Sequence, residues 1–250
     1  MQAYLTLARR EISGYFLSLT GYLTIAAAMF LMGLSFVDLL DKFHQTPTPM
    51  PVAELFYVTW YFWLILTLIT PVITMRLFAH EKSSGTFETL MTTPVSDFEV
   101  VLAKFSAALF FYLVIWLPLL ACNFIIRYYT SAPLAVDFGV LATTFLGLLL
   151  IGGLFISLGC LSSALTRSQV IAAILSLLAS SSLVLLANFA EKLPSQTSWQ
   201  AEALAYFALS EQMHDFSRGI VDTRSVVFLA SSTLFFLFLT LRLVESRRWK

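Results

Sequence analysis

The sequence predicts an all-α membrane protein. Six transmembrane helices are expected, with an interfacial helix at the N-terminus and a short cytoplasmic helix between the second and third spans. Three observations predict it. Hydrophobic residues make up 58% of the 250-residue chain and charged residues only 12%, against roughly 45–50% and about 25% in ordinary globular domains. Mean hydropathy is +0.83. The apolar residues also fall into six long runs that carry no Asp, Glu, Lys or Arg. So little charge cannot cover a water-facing surface. The 15% aromatic content is equally foreign to a disordered chain.

A helix that crosses a bilayer needs about 20 mostly apolar residues. The charge-free runs occupy 12–37, 55–75, 105–126, 138–166, 168–190 and 225–241. They predict spans at about 15–38, 55–78, 100–126, 138–165, 168–190 and 224–243, all within a single membrane domain of residues 1–250. The last run is the shortest, and Arg224 and Arg242 can snorkel from its ends. The first follows Arg9 and Arg10 and contains Ala26, Ala27 and Ala28, like a secretory leader. It is too long for a leader's apolar core of roughly 7–15 residues.

Basic residues in the flanks set the orientation. With the N-terminus in the cytoplasm, the inner side carries Arg9, Arg10, Arg76, Lys82, Lys104, Arg167, Arg242, Arg247, Arg248 and Lys250. The outer side carries Lys42, Arg127, Lys192, Arg218 and Arg224. Both termini are therefore expected inside, with outer loops at 38–54, 127–137 and 191–224. Residues 1–14 alternate Tyr4, Leu5, Leu7, Ala8 and Ile12 with Gln2, Arg9, Arg10 and Glu11, as an amphipathic helix in the cytoplasmic interface does. The last outer loop holds Trp199, Leu204, Tyr206, Phe207 and Leu209, an aromatic-anchored interfacial helix. A second short turn follows, with Ser210 as N-cap and Gly219 as stop, so outer interfacial helices cover 198–219. Pro47, Pro49 and Pro51 stiffen the first outer loop.

The chemistry that is missing narrows the function. Fifteen basic and fifteen acidic residues cancel, so no basic domain offers itself to nucleic acid. Cys122 and Cys160 lie apart in apolar runs and suggest neither a disulfide framework nor a metal site. His44, His80 and His214 sit in separate segments, and His80-Glu81 lacks the second His of a metalloprotease helix. The central turns of the six spans carry no ionisable residue, which disfavours an ion-coupled transporter, a proton pump or a voltage sensor. Ser176, Ser180, Ser181, Ser182 and Asn188 could line a polar path or pack helices together. Gly147, Gly152, Gly153 and Gly159 form a small face for close helix approach. There is no phosphate-binding loop and no nucleophile elbow. No catalytic residue, metal ligand or cofactor is expected in this chain.

One loop differs from the rest, at 79–98. Gly85 permits a sharp turn after the second span. Thr86 can cap a short helix with Glu88 near its positive end. Phe87, Leu90 and Met91 then share a face, and Pro94 ends the helix. Ser96, Asp97, Phe98 and Glu99 form a capping box that starts the third span. The outcome is a cytoplasmic protrusion with an apolar ridge and acidic shoulders. A lipid-lying linker would be rich in Lys and Arg. Here Glu81, Glu88, Asp97 and Glu99 outnumber Lys82, which suits a protein partner better.

These residues resemble the signature of the type-2 ABC exporter permeases. Glu81, Lys82, Gly85, Thr86, Glu88, Leu90, Met91, Pro94 and Lys104 follow its order, with Met91 where Leu is usual. The chain is most similar to the permeases of the gliding-motility and nitrous-oxide-reductase-maturation type. Arg10-Glu11 with Tyr15-Phe16 resembles the N-terminal elbow of that branch. Pro71, Thr74, Met75 and Arg76 resemble the end of its second span. His214, Phe216, Arg218-Gly219 and Arg247-Arg248 resemble its last outer loop and tail.

The resemblance implies a permease subunit in the bacterial inner membrane, paired with a second permease chain as a homodimer or with a related permease. A cytoplasmic ABC ATPase would bind ATP and Mg, and an auxiliary extracytoplasmic subunit is a further expected partner. The 79–98 loop becomes the coupling helix. Phe87, Leu90 and Met91 would enter a groove of the ATPase, Glu88 would meet a base there, and Gly85 and Pro94 would set the ends. The first helix becomes the elbow, with Arg9 and Arg10 on lipid phosphates. Glu81 would pair with Arg10 or another base there, or else stand as a surface carboxylate near Lys82. A mechanical transducer without export would use the same loop. A passive scaffold would not need it, and an intramembrane enzyme would need polar residues at membrane depth.

Overall fold

The computed structural model describes residues 2–45, 57, 59–86, 95–122, 138–192 and 207–248. Among them the regular structure is entirely helical: α1 (Gln2–Phe16), α2 (Leu19–Gln45), α3 (Trp60–Thr74), α4 (Ala79–Ser84), α5 (Asp97–Trp116), α6 (Phe138–Leu165), α7 (Gln169–Lys192), α8 (Leu209–Ser217) and α9 (Thr223–Arg248). Six stretches of described residues are long and apolar enough to cross a membrane: Leu19–Asp41, Trp60–Ser84, Asp97–Cys122, Phe138–Leu165, Gln169–Ala187 and Thr223–Ser246.

The charge-free run at 12–37 is divided between two helices. Residues 12–16 belong to α1, and the chain bends at Leu17-Ser18 before α2 begins. The Ser18 hydroxyl accepts from the Gly21 N–H at 3.0 Å and donates to the Tyr15 carbonyl at 3.1 Å. A Cβ on Gly21 would lie 2.0 Å from that same carbonyl oxygen, so the bend requires glycine. Hydropathy alone cannot find this break, because no charge marks it.

The third helix contains Pro71, and its threonine hydroxyls turn back on their own backbone: Thr67 to Trp63, Thr70 to Leu66 and Thr74 to Thr70. Beyond Thr74 the helix loosens into a turn before α4. Irregular backbone at membrane depth survives only where protein covers it and its polar groups find partners. Ser163 of α6 supplies them. Its hydroxyl accepts from the Phe78 and Ala79 N–H groups, each at 3.1 Å, and donates to the Met75 carbonyl at 3.3 Å. The Ile73 carbonyl accepts from the Tyr15 hydroxyl of α1 at 2.9 Å.

The sixth helix is the centre of the bundle and touches α3, α5, α7, α8 and α9. Its glycines are used within the chain. A Cβ on Gly152 would lie 2.2 Å from the buried Tyr112 ring, one on Gly159 2.2 Å from Thr74 Oγ1, and one on Gly147 2.9 Å from Phe216. Side chains of α5, α3 and α8 thus occupy the notches that these glycines leave. The serines of α7 divide by face. Ser176 and Ser180 are buried on the side that packs against α3 and α6, whereas Ser182 is exposed.

The eighth helix begins one residue ahead of the expected cap. Ala208 stands at the N-cap and Ser210 lies within the first turn, while Gly219, at φ 86°, ends the segment as expected. Leu209 therefore opens α8 rather than belonging to a preceding interfacial helix. Leu209, Met213 and Phe216 are buried. The apolar side of α8 rests on α6 instead of lying in lipid. Trp199, Leu204 and Tyr206 lie outside the described residues, as do Pro47, Pro49, Pro51 and Arg127.

Candidate functional site

At one end of the bundle, three helices that are distant in sequence meet through charge. Lys104 of α5 has a buried side chain, 3% exposed, and is the only basic residue of that helix. Its ammonium lies 3.1 Å from Glu11 Oε1 of α1 and 2.9 Å from Glu81 Oε1 of α4. Arg10 adds a second cation, 2.9 Å from Glu11 and 3.2 Å from Glu81. The Phe78 ring lies under the Lys104 ammonium, 5.5 Å from it to the centroid. Two carboxylates and two cations thus form a closed knot between α1, α4 and α5.

The knot follows from the local sequence. A lone lysine on an apolar helix must find counter-charges when buried, or it would neutralise. Burial raises the cost of ionising Glu11, but Lys104 and Arg10 outweigh it and hold the carboxyl below its ordinary value. The Glu11 hydrogen bond in turn raises the Arg10 guanidinium. One side of α1 packs on α5. The Tyr15 ring stacks on Phe111 at 4.8 Å, Phe16 meets the same ring edge-on, and the Tyr4 hydroxyl bonds Ser106 at 2.9 Å.

The short α4 is held from its other sides as well. The Lys82 ammonium donates to the Ala164 carbonyl at the last turn of α6, where a cation satisfies an open carbonyl. His80 Nδ1 lies 2.9 Å from Gln169 Nε2 at the start of α7. The helix ends at Gly85, whose φ of 75° is left-handed, so the chain turns there. The Thr86 hydroxyl points back to Ser84 at 2.8 Å. On the far side of the loop, Ser96 and Glu99 form the expected capping box.

The sequence placed Arg10 and Glu11 on the first helix and offered Arg10 as one partner of Glu81; Arg10 contacts both carboxylates. Of the two settings read for Glu81, the pairing with Arg10 is the one observed. Arg9 is exposed and stands outside the knot. Gly85 and Thr86 lie one turn beyond it. Phe87, Glu88, Leu90, Met91 and Pro94 lie outside the described residues. Sequence reading did not assign a role to Lys104, Phe78, Tyr15 or Ser163. Lys104 had a signal: it is the only basic residue in the stretch Asp97–Cys122. Among the described residues no group of His, Cys, Asp and Glu could hold a metal ion.

Six stretches long and apolar enough to cross a membrane, around a charge-poor core, describe a multi-pass integral membrane protein. Residues 16–218 match the family described as ABC-2 family transporter protein. The match covers most of the sequence, and the chain belongs to that family. It is thereby a membrane permease subunit of an ABC transporter, working with an ABC ATPase subunit. No curated protein matches the chain.

Proposed function

We propose that this chain couples ATP hydrolysis in its partner ATPase to a conformational change of the bundle, and that the coupling enters through the loop at 79–98. The observation that carries the proposal is the Arg10–Glu11–Glu81–Lys104 knot, directly before the Gly85 turn. A push on that loop reaches Glu81 first. Glu81 is bonded to α1 and α5 at once, so the push passes into two helices of the bundle. The amphipathic α1 acts as the elbow in the cytoplasmic interface, and both termini face the cytoplasm of a bacterial inner membrane.

In this reading Phe87, Leu90 and Met91 are the ridge that docks into the ATPase, Glu88 meets a base there, and Pro94 ends the coupling helix. A second copy of the chain or a related permease completes the transporter, and an auxiliary extracytoplasmic subunit joins it in the gliding-motility or nitrous-oxide-reductase-maturation manner. ATP and Mg are bound in the ATPase. A gentle detergent pull-down from the native membrane tests the assembly, and a stoichiometric ATPase is the expected companion. Glu88→Lys is expected to abolish transporter-stimulated ATPase activity while the protein still inserts. Stimulation that survives this change removes the docking role of the loop.

A further inference from the structure

Beside the knot, a cavity of about 280 Å³ lies between α1, the start of α2 and the turn after α3. Glu11, Tyr15, Ser18, Thr20, Val72 and Arg76 are among its lining residues. The volume falls short of a site that encloses a whole drug-sized molecule. It admits a headgroup and leaves any attached chain outside. The membrane-length stretch Leu19–Asp41 begins at the same bend, which puts the cavity at the bilayer interface.

The lining offers open valences of both signs. Glu81 and Lys104 also face the cavity, but the knot engages them. Arg76 has no carboxylate partner among the described residues. Its guanidinium donates to the Thr20 hydroxyl at 2.7 Å, and that oxygen lies 3.2 Å from the Ser18 hydroxyl. Most of the guanidinium N–H donors therefore remain open. Thr20 stands in the first turn of α2, whose positive end adds to the attraction for an anion. On the other side, Arg10 and Lys104 both hold Glu11 through Oε1. Glu11 Oε2 accepts no hydrogen bond among the described residues, and the side chain is 19% exposed. Glu81 Oε2, in contrast, is buried. Tyr15 stands between the two free groups, since the charges of both Glu11 and Arg76 act on its hydroxyl.

A ligand with a phosphate at one end and an ammonium at the other matches this lining. An anionic head without the ammonium would bring its charge toward Glu11 and give that carboxylate nothing to accept. A quaternary ammonium has no N–H to donate, and its methyl groups need more room. We infer that the cavity binds the headgroup of a phosphoethanolamine lipid, with the phosphate on Arg76 and Thr20 and the primary ammonium on Glu11. Apolar surface around the cavity favours a lipid over the free head. Val72 of its lining is 38% exposed, and Leu17 and Leu19 at the bend are exposed too. Covering them with hydrocarbon removes apolar area from water. Binding needs this chain alone and does not depend on the ATPase reading, so either idea can fail without the other.

The test uses the full chain, purified in maltoside detergent, and native mass spectrometry of added phospholipids. Three lipids with identical chains are compared, with ethanolamine, choline and glycerol heads. The unaltered protein is expected to hold its first ethanolamine lipid about tenfold more tightly than either of the others. Arg76→Gln is expected to weaken that binding about tenfold, to the level of the other two. Arg242→Gln removes an exposed cation outside the cavity and should leave the preference unchanged; a preference lost there would overturn the inference. Equal affinity for the three heads in the unaltered protein also overturns it, and that comparison needs no variant to fold. So does Arg76→Gln with an undiminished preference. Displacement of the lipid by an equal concentration of soluble glycerophosphoethanolamine would overturn the lipid as occupant, since the chains would then contribute nothing.

Discussion

The middle of the bundle and its knotted end hold helices together by opposite means. In the middle, α6 offers notches at Gly147, Gly152 and Gly159, and Phe216, Tyr112 and Thr74 fill them. Nothing there is charged. At the end, α1, α4 and α5 meet through four charges, with Lys104 buried among them. Shape complementarity in a packed interior is short-ranged and unforgiving, because a methyl too many has nowhere to go. Charge pairs reach further and tolerate small displacements, but a missing partner leaves a stranded ion. The comparison teaches where the fold can yield. Helices joined by notches must move together, while helices joined by charges can shift by fractions of an ångström and stay bound.

The largest effect is expected where the stranded ions are most buried. Lys104→Met leaves Glu11 and Glu81 facing each other and should cost about 3–5 kcal/mol, read as lowered resistance to unfolding in detergent. Adding Glu11→Gln and Glu81→Gln to that variant should recover most of the loss; if it does not, the lysine acts through packing and the contrast with the middle dissolves. Next comes the notch itself. Gly159→Ala forces a methyl onto Thr74 and should cost roughly 1–3 kcal/mol, with Ser157→Ala on the same helix as the comparison. Ser96→Ala removes the capping box of α5 and should cost about 1 kcal/mol, measurable in the same unfolding series.

The smallest effect belongs to the exposed edge of the knot. Arg10→Gln should cost less than about 1 kcal/mol, because its side chain is 56% exposed and water screens it. Acid sharpens the same point. The Glu11 carboxyl titrates below its ordinary 4.5 in the folded chain, so its contribution is present above that value and lost as pH falls through the depressed one. Detachment of α1, followed by a fluorophore near Tyr4, should therefore appear only as the pH falls below the ordinary 4.5 in the unaltered protein. In Glu11→Gln the acid-dependent step should vanish.

Much of the fold was legible because a bilayer demands long apolar runs, and six such runs are plain in the sequence. Their ranking was not. The sixth and seventh helices are both strongly apolar, yet 72% of the apolar stretch of α6 is buried against 22% for α7. Hydropathy reports what can leave water, not whether lipid or protein receives it. The glycines of α6 were read as a small face, but only the coordinates show Tyr112, Thr74 and Phe216 as its occupants. The bend at Ser18 escaped because a local hydroxyl cap carries no hydropathic signal. Of the candidate site, the pairing of Glu81 with Arg10 was one of two settings that the resemblance left open. Lys104 was quoted without a role, since its partners come from helices far away in sequence.

Ser163 carries a consequence for motion. One hydroxyl holds the Phe78 and Ala79 N–H groups and leans on the Met75 carbonyl. Sliding α4 along α6 would have to break both of these buried accepted bonds in the same instant. The turn between α3 and α4 is thus a weld rather than a hinge, and α3, α4 and α6 form one stiff lever. The pivots of such a lever lie where the chain bends without being clamped to α6: at Leu17-Ser18 before it and at Gly85 beyond it.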